Sequence, residues 1–413
     1  MQQKEFTTHV LPNGLRLIHA WMPRTVSHCA LVIQAGTRDE GEGESGLAHF
    51  IEHVLFKGTH ARKAFHILNR MESVGGEVNA YTTKEETWIT SSQRTEHTER
   101  ALELIADIAF NSVFPEGELE KERDVILDEI ASVEDQPGDV IFEDFESRVF
   151  DGHPLSRPIL GEADVVKSLT RSQVLSFIDR HYRPANMVLG VVGSMTWKQV
   201  KAWAEKHFGD CPSREVFQPE PMSLPVHSPF RAKEPKGIHQ MHHVGGCVAP
   251  GGNHEQRLPM TFMANLLGGP AMNCRLNLNI RERYGMAYHI EANHMIYQDT
   301  GLFNIYFGTD PRFHDKVERL VRKEIDQLRN RALGTRQLHE TKQQLLGQMA
   351  LGQDHGASLL ASLVKSYLTY NRVESTEAVV KAIEGVNAMD LMDVAQTWLS
   401  EDQWSSLVYA TQA

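Results

Sequence analysis

The most informative stretch of the sequence reads Gly46-Leu-Ala-His49-Phe-Ile-Glu52-His53. Residues three and four apart share one face of a helix, so His49 and His53 can bind one metal ion while Glu52 beside them stays free to take a proton. Two imidazoles, a carboxylate and a metal-activated water are the components of zinc hydrolase chemistry. The stretch therefore predicts a helix that provides two metal ligands and a general base.

The order H-x-x-E-H is the inverzincin motif, which reverses the commoner H-E-x-x-H zinc signature. The alternative is a chance combination on an amphipathic helix, in a chain that has 21 histidines. A catalytic zinc site also needs a third protein ligand. Such a ligand must come from elsewhere in the sequence.

An acidic segment at residues 116–135 is the candidate source of this ligand. The segment starts after Pro115, ends before Pro137 and has apolar residues at helical spacing. An acidic helix is usually just a solvated face, so spacing alone does not choose among its carboxylates. The open candidates are Glu122, Asp128, Glu129 and Glu134.

Together these residues resemble the M16 metallopeptidases, the family of mitochondrial processing peptidase, pitrilysin and insulin-degrading enzyme. In that family the H-x-x-E-H motif is followed by an E-R-x-x-x-x-x-E pattern, which Glu122-Arg123 and Glu129 match. The resemblance implies that His49, His53 and Glu129 hold one zinc ion per subunit. It also implies that Glu122 orients and tunes these ligands from outside.

The segment Gly75-Gly-Glu-Val-Asn79-Ala80-Tyr-Thr82 resembles the family's edge strand beside the metal. The resemblance implies that Asn79 and Ala80 help to hold the substrate in extended form. An edge strand binds a peptide through its main chain and leaves specificity to side-chain pockets. The alternative is an ordinary strand that begins after glycine.

The segment Arg281-Glu-Arg-Tyr-Gly-Met-Ala-Tyr288 resembles the Arg/Tyr pair of the family, which contacts the peptide at the metal. An arginine and a phenol can donate hydrogen bonds to a substrate carbonyl or to the developing oxyanion. Arg281 and Tyr288 are the predicted pair. Arg283 and Tyr284 are near competitors within the same segment.

The 413 residues are enough for two domains. We predict a catalytic domain at 1–210, a proline-rich linker at 211–236 and a second domain at 237–413, which has the Arg/Tyr pair. The halves resemble diverged repeats, because the metal-binding helix is echoed by Met260-Thr-Phe-Met-Ala-Asn-Leu-Leu-Gly-Gly269. In the echo, the motif positions hold Thr261, Ala264 and Asn265.

Strand-like runs such as 30–35 and 187–192 alternate with helical segments such as 96–110 and 171–181. This mixture predicts sheets with helices packed on one face. Periodicity alone does not exclude a doubly wound α/β sheet. The resemblance implies an α+β fold of two homologous α/β sandwich domains joined by a linker.

Charge and composition exclude some functions. The net charge of -12 argues against nucleic acid as a partner. The sequence shows no signal peptide and no apolar run of membrane-spanning length, so we expect a cytoplasmic protein that does not enter a membrane. The cluster His239-Gln-Met-His242-His243 is a weak metal candidate, because neighbouring strand residues point to opposite faces.

The resemblance implies a zinc endopeptidase or oligopeptidase in which Glu52 activates a zinc-bound water. Its substrates would be peptides or unfolded segments, held extended in a closed chamber. Because longer relatives enclose the substrate with four domains, we expect a homodimer in which Arg281 and Tyr288 act in trans. The main alternative is a non-proteolytic structural or partner subunit of M16 type. Metal-dependent chemistry on a small molecule is a third interpretation, and the paired halves argue against it.

Overall fold

The computed structural model describes residues 5–211 and 228–411. Its strands are β1 (Thr7–Val10), β2 (Arg16–Trp21), β3 (Val26–Ile33), β4 (Glu77–Thr82), β5 (Thr87–Arg94), β6 (Met187–Gly193), β7 (Arg231–Lys236), β8 (Met241–Ala249), β9 (Ala287–Ile296), β10 (Gly301–Thr309) and β11 (Ser405–Thr411). Its α-helices are α1 (Leu47–Val54), α2 (Ala64–Glu72), α3 (Thr98–Asn111), α4 (Glu116–Glu134), α5 (Pro137–Val149), α6 (Ala163–Ser168), α7 (Arg171–His181), α8 (Trp197–Phe208), α9 (Arg257–Gly268), α10 (His314–Asn330), α11 (Thr335–Asp354), α12 (Gly356–Tyr370), α13 (Thr376–Gly385) and α14 (Ala388–Trp398). Among these described helices, none has both the length and the apolar character needed to cross a membrane.

The chain forms two compact units that exchange segments. The first contains the chain up to Ala131, the part from Arg157 to residue 211, and Ala350–Ser375. The second contains Ser132–Ser156, the part from residue 228 to Met349, and the part from Thr376 onward. Each unit therefore takes one segment from the other half of the sequence.

This exchange departs from the predicted boundaries of 1–210, 211–236 and 237–413. Helix α5 lies in the first half of the sequence but belongs to the second unit. Helix α12 lies in the second half of the sequence but belongs to the first unit. Residues 212–227 of the predicted linker lie outside the described residues. The end of that linker is strand β7, which pairs with β11 in a parallel register.

The first unit is built on a six-stranded sheet in the order β1-β2-β6-β3-β5-β4. Along β3, Cys29, Leu31 and Ile33 face a core shared with α1, α3, α7 and α8, whereas Ala30 and Val32 face the opposite side. Helix α12 covers that opposite side through Leu360, Leu363, Val364 and Tyr367. The prediction of helices on one face only is therefore incomplete, since both faces of this sheet are covered.

Strand β6 explains how the second face accepts a helix. All of its residues are buried, which is typical of a strand that is covered on both sides. A side chain at Gly190 would collide with Val364 and Leu360, so glycine is needed for the close approach of α12.

The second unit repeats this arrangement on a five-stranded sheet in the order β7-β11-β8-β10-β9. Cys247, Phe303 and Phe307 pack on one face against α9, α10 and α14. Helix α5 packs on the other face through Ile141, Phe145 and Val149. Helices α5 and α12 thus have equivalent roles, each on the sheet of the other half of the sequence.

Candidate metal centre

Helix α1 begins beside a buried carboxylate. Gly46 precedes the helix with a φ of 85°, a left-handed conformation that favours glycine. The two carboxylate oxygens of Glu40 accept hydrogen bonds from the backbone N–H groups of Gly46 (3.1 Å) and Ala48 (2.9 Å). A carboxylate here satisfies N–H groups that have no partner within the helix and complements the positive end of the helix dipole. Glu40 therefore helps to position the helix that contains the motif.

The structure brings His49, His53 and Glu129 together. One ligand atom from each lies within 4.8 Å of the others. The Oε2 atom of Glu129 is 3.4 Å from Nε2 of His53 and 3.9 Å from Nε2 of His49. Asp128 and Glu134, which spacing alone left open, are not part of this group. Among the candidates in α4, Glu129 is the one whose carboxylate meets both histidines.

This donor set fits a single zinc ion. Ligand atoms of a tetrahedral zinc site lie about 3.3 Å apart, close to the separations of Glu129 from the histidines. Burial, together with the neighbouring His53, lowers the pKa of His49 to about 4. The imidazole of His49 is therefore neutral at physiological pH, as a metal ligand must be.

Glu52 lies beside this group without joining it. Its Oε2 atom accepts a hydrogen bond of 2.9 Å from the Thr82 hydroxyl at the end of β4. Burial raises the pKa of Glu52, and the hydrogen bond from Thr82 and the proximity of His53 partly oppose the shift. A raised carboxylate pKa moves the group towards the range of an efficient general base. The motif did not predict that Thr82 holds the carboxylate of Glu52.

Glu122 contacts His53 from the side away from Glu129. Its Oε2 atom lies 3.2 Å from Nδ1 of His53, and its Oε1 atom lies 2.6 Å from Nζ of Lys57. A carboxylate on Nδ1 fixes the tautomer in which Nε2 has the lone pair for a metal. Lys57 was not identified from the sequence, although it lies one turn after His53.

Substituting Glu122→Gln should weaken zinc binding by about 10–100-fold, because the amide no longer polarises and orients the His53 ring. Competition with a fluorescent zinc chelator measures this affinity. The matched control is Glu120→Gln, an exposed position on the same helix. Equal affinities for the two variants would contradict a supporting role for Glu122.

Asn79 and Ala80 lie on β4, which is at the edge of the first sheet. Asn79 is exposed, and its Oδ1 atom accepts a hydrogen bond of 2.9 Å from the backbone N–H of Ala80. The Ala80 methyl group is buried in the core. The same strand ends at Thr82, so the predicted substrate strand is continuous with the partner of Glu52.

Arg281 and Tyr288 belong to the second unit. Arg281 lies in a π-helical turn, Asn277–Glu282, and Tyr288 lies on β9, the edge strand of the second sheet. Tyr288 is 83% exposed. The residues of the competing pair contact each other, because the guanidinium carbon of Arg283 lies 5.3 Å from the centroid of the Tyr284 ring.

Helix α9 is the counterpart of α1 in the second unit, with Thr261, Ala264 and Asn265 at the motif positions. The Nδ2 atom of Asn265 donates a hydrogen bond of 2.7 Å to Oε1 of Gln348 in α11. The hydroxyl of Thr261 lies 3.0 Å from Nδ1 of His294. Neutral hydrogen bonds thus take the place of the histidine and glutamate contacts of the first unit.

Comparison with known proteins shows the family to which this chain belongs. Residues 17–163 match the family Insulinase (Peptidase family M16), and residues 168–345 match the family Peptidase M16 inactive domain. An uncharacterized zinc protease of Rickettsia bellii is 31% identical over 409 residues, which are 98% of this chain and 98% of the relative. The chain belongs to peptidase family M16.

Further similar proteins agree with this chain in length or in fold. An uncharacterized zinc protease of Mycobacterium tuberculosis is 32% identical over 394 residues, covering 94% of this chain and 90% of the relative. The crystal structure of a protease from Helicobacter pylori has a TM-score of 0.93 at 21% identity and covers 99% of both chains. The predicted two-domain α+β fold of M16 type is confirmed. The substituted motif in α9 also agrees with the description of the second M16 domain as inactive.

Proposed function

We propose that this M16 protein is a zinc-dependent endopeptidase or oligopeptidase that cleaves peptides or unfolded segments. The observation that supports it best is the position of Glu52. This carboxylate lies outside the His49, His53 and Glu129 group, although Glu52 is three residues after His49 and directly precedes His53. A protein that only bound a metal would not need a further, partly buried carboxylate beside the ligands.

Zinc at this group would polarise a peptide carbonyl and lower the pKa of a bound water to about 7. Glu52 then takes a proton from the attacking water and delivers it to the leaving amine. The Thr82 hydroxyl donates a hydrogen bond to Oε2 of Glu52 and thereby holds the carboxylate in place. Burial keeps the His49 imidazole neutral, so its Nε2 lone pair is available to a metal.

Strand β4 supports a substrate that is extended. As an edge strand it presents backbone N–H and C=O groups that can pair with the main chain of a peptide. The Oδ1 atom of Asn79 accepts a hydrogen bond from the N–H of Ala80, so a peptide that pairs with this N–H would have to displace the Asn79 side chain. Such recognition accepts many sequences but requires an unfolded segment.

Cleavage of a quenched fluorescent peptide library tests the proposed activity. We expect cleavage that is lost with a chelator and restored by adding zinc. An absence of cleavage by folded, zinc-loaded protein would overturn the proposal and favour a non-proteolytic structural or partner subunit.

We also propose that two identical subunits enclose the substrate, and that Arg281 and Tyr288 of one subunit act at the metal centre of the other. The exposure of Tyr288 on an edge strand supports this role, since such a group is available to a ligand outside its own unit. An arginine and a tyrosine can both donate to the oxyanion. One kind of subunit would then be sufficient, because it contains both the motif and the pair.

Mixing two defective variants tests action in trans. In an equal mixture of Glu52→Gln and Arg281→Ala subunits, half of the dimers should be mixed, and each should have one intact site out of two. Activity should therefore recover to about one quarter of the unsubstituted level, provided that subunits exchange. Each variant alone is the control, and light scattering checks for the dimer. No recovery among exchanged dimers would contradict action in trans.

A further inference from the structure

A second group of metal-ligand side chains lies in the second unit, formed by His243, His314 and Glu318. One ligand atom from each lies within 4.8 Å of the others. The Nδ1 atom of His243 is 3.0 Å from Nε2 of His314. Two nitrogens bound to one tetrahedral zinc ion lie about 3.3 Å apart, so the spacing of these two nitrogens is close to that of a zinc site.

The fold places these residues from two directions. His243 is on β8, a central strand of the second sheet, and its ring stacks on Phe307 with centroids 4.6 Å apart. His314 is the first residue of α10, and Glu318 follows one turn later on the same face. Both histidines are buried, at 4% and 7% exposure, whereas Glu318 is partly exposed and opens the group to solvent.

Two of the three side chains, His314 and Glu318, already have hydrogen-bond partners of the kind that orient metal ligands. The Oδ1 atom of Asp315 lies 3.0 Å from Nδ1 of His314, which leaves the Nε2 lone pair of His314 facing His243. Arg322 donates through Nε and Nη2 to Oε1 of Glu318, at 3.2 Å and 3.0 Å, and leaves Oε2 for a ligand role. Metal-bound histidines and carboxylates are commonly supported by such hydrogen bonds.

The simpler interpretation is a buried hydrogen bond between two histidines that joins a strand to a helix. That interpretation explains the contact of His243 with His314, but it does not account for the position of the Glu318 carboxylate beside both imidazoles. The positive charge of Arg322 works against a cation, and the carboxylates of Glu318 and Asp315 offset that charge. Two imidazoles and a carboxylate together are a donor set that suits zinc.

We propose that His243, His314 and Glu318 bind a second divalent transition-metal ion, of which zinc fits best. The ion would join β8 to the start of α10 and would have a structural role. The site shares only His243 with the cluster of His239, His242 and His243 considered in the sequence. His242 points to the other face, where its Nδ1 atom lies 2.8 Å from the Tyr306 hydroxyl.

Zinc stoichiometry of the full-length chain tests this site. After metal removal and equilibrium dialysis against buffered zinc, we expect two bound ions per chain by elemental analysis. His314→Gln should retain one ion, and the double variant His49→Ala with His53→Ala should also retain one. Combining all three changes should abolish binding. His339→Gln, an exposed histidine of the same unit, is the matched control and should retain two.

Circular dichroism of each variant checks the fold, and Glu318→Gln provides a milder change at the same site that should weaken the second ion at least tenfold. Cobalt added to the His49→Ala/His53→Ala protein should give visible absorption bands, which His314→Gln should remove. One bound ion in the unsubstituted chain, or two in folded His314→Gln, would overturn the proposal. Neither readout depends on peptide cleavage, so the result is independent of the proposed activity.

Discussion

Glu52→Gln should reduce kcat/KM for peptide cleavage by about 10²–10⁴-fold while zinc binding is retained. The amide preserves the shape of the side chain and can keep the hydrogen bond from Thr82, but it cannot take a proton from water. Glu52 does not belong to the ligand group, so its loss should leave the metal in place. Steady-state kinetics on one defined peptide, with zinc content measured on the same sample, provides both values.

The control for this variant is Glu42→Gln, an exposed glutamate in the loop before α1. It changes the net charge by the same amount and should leave both values unchanged. Near-normal cleavage by Glu52→Gln would refute the assignment of Glu52 as the base. Loss of zinc in Glu52→Gln would show instead that this carboxylate contributes to metal binding.

Glu129→Ala should abolish zinc binding and cleavage together. Removal of a direct ligand should weaken zinc binding by more than the roughly 10–100-fold expected for an outer partner. Glu129 is partly exposed on α4, and alanine favours helix, so the fold should persist. Elemental analysis, kinetics and circular dichroism on one preparation measure the three properties.

Asp128→Ala is the matched control, since Asp128 is the adjacent, exposed carboxylate of the same helix. It should retain zinc and activity. If Glu129→Ala retained zinc and activity as Asp128→Ala does, another group would have to be the third metal ligand. The contrast with Glu52→Gln is informative. Glu52→Gln should greatly reduce cleavage but retain zinc, whereas Glu129→Ala should abolish both.

The sequence is most predictive where the chemistry is local. His49, Glu52 and His53 lie within one turn and a half of helix, so their shared face follows from helical geometry alone. Helix α4 begins after Pro115 and ends before Pro137, as the prolines predict. The choice of Glu129 among the acidic residues of α4 needed the family pattern, because it depends on how α4 packs beside α1.

Contacts between distant segments were not predictable in this way. Glu40 reaches the start of α1 from a loop, and Thr82 reaches Glu52 from the end of a strand. No periodic pattern marks either residue, since each acts through hydrogen bonds that form only on tertiary folding. His314 and Glu318 are likewise far from His243 in sequence, and only the packing of α10 on β8 brings them together.

The exchange of α5 and α12 has a consequence for the origin of the chain. Each helix follows a long helix of its own half, α4 or α11, and then covers the sheet of the opposite half. A half-length ancestor would have left one apolar sheet face bare unless two copies had traded this helix. The present chain thus has, within one polypeptide, the helix arrangement of a domain-swapped pair.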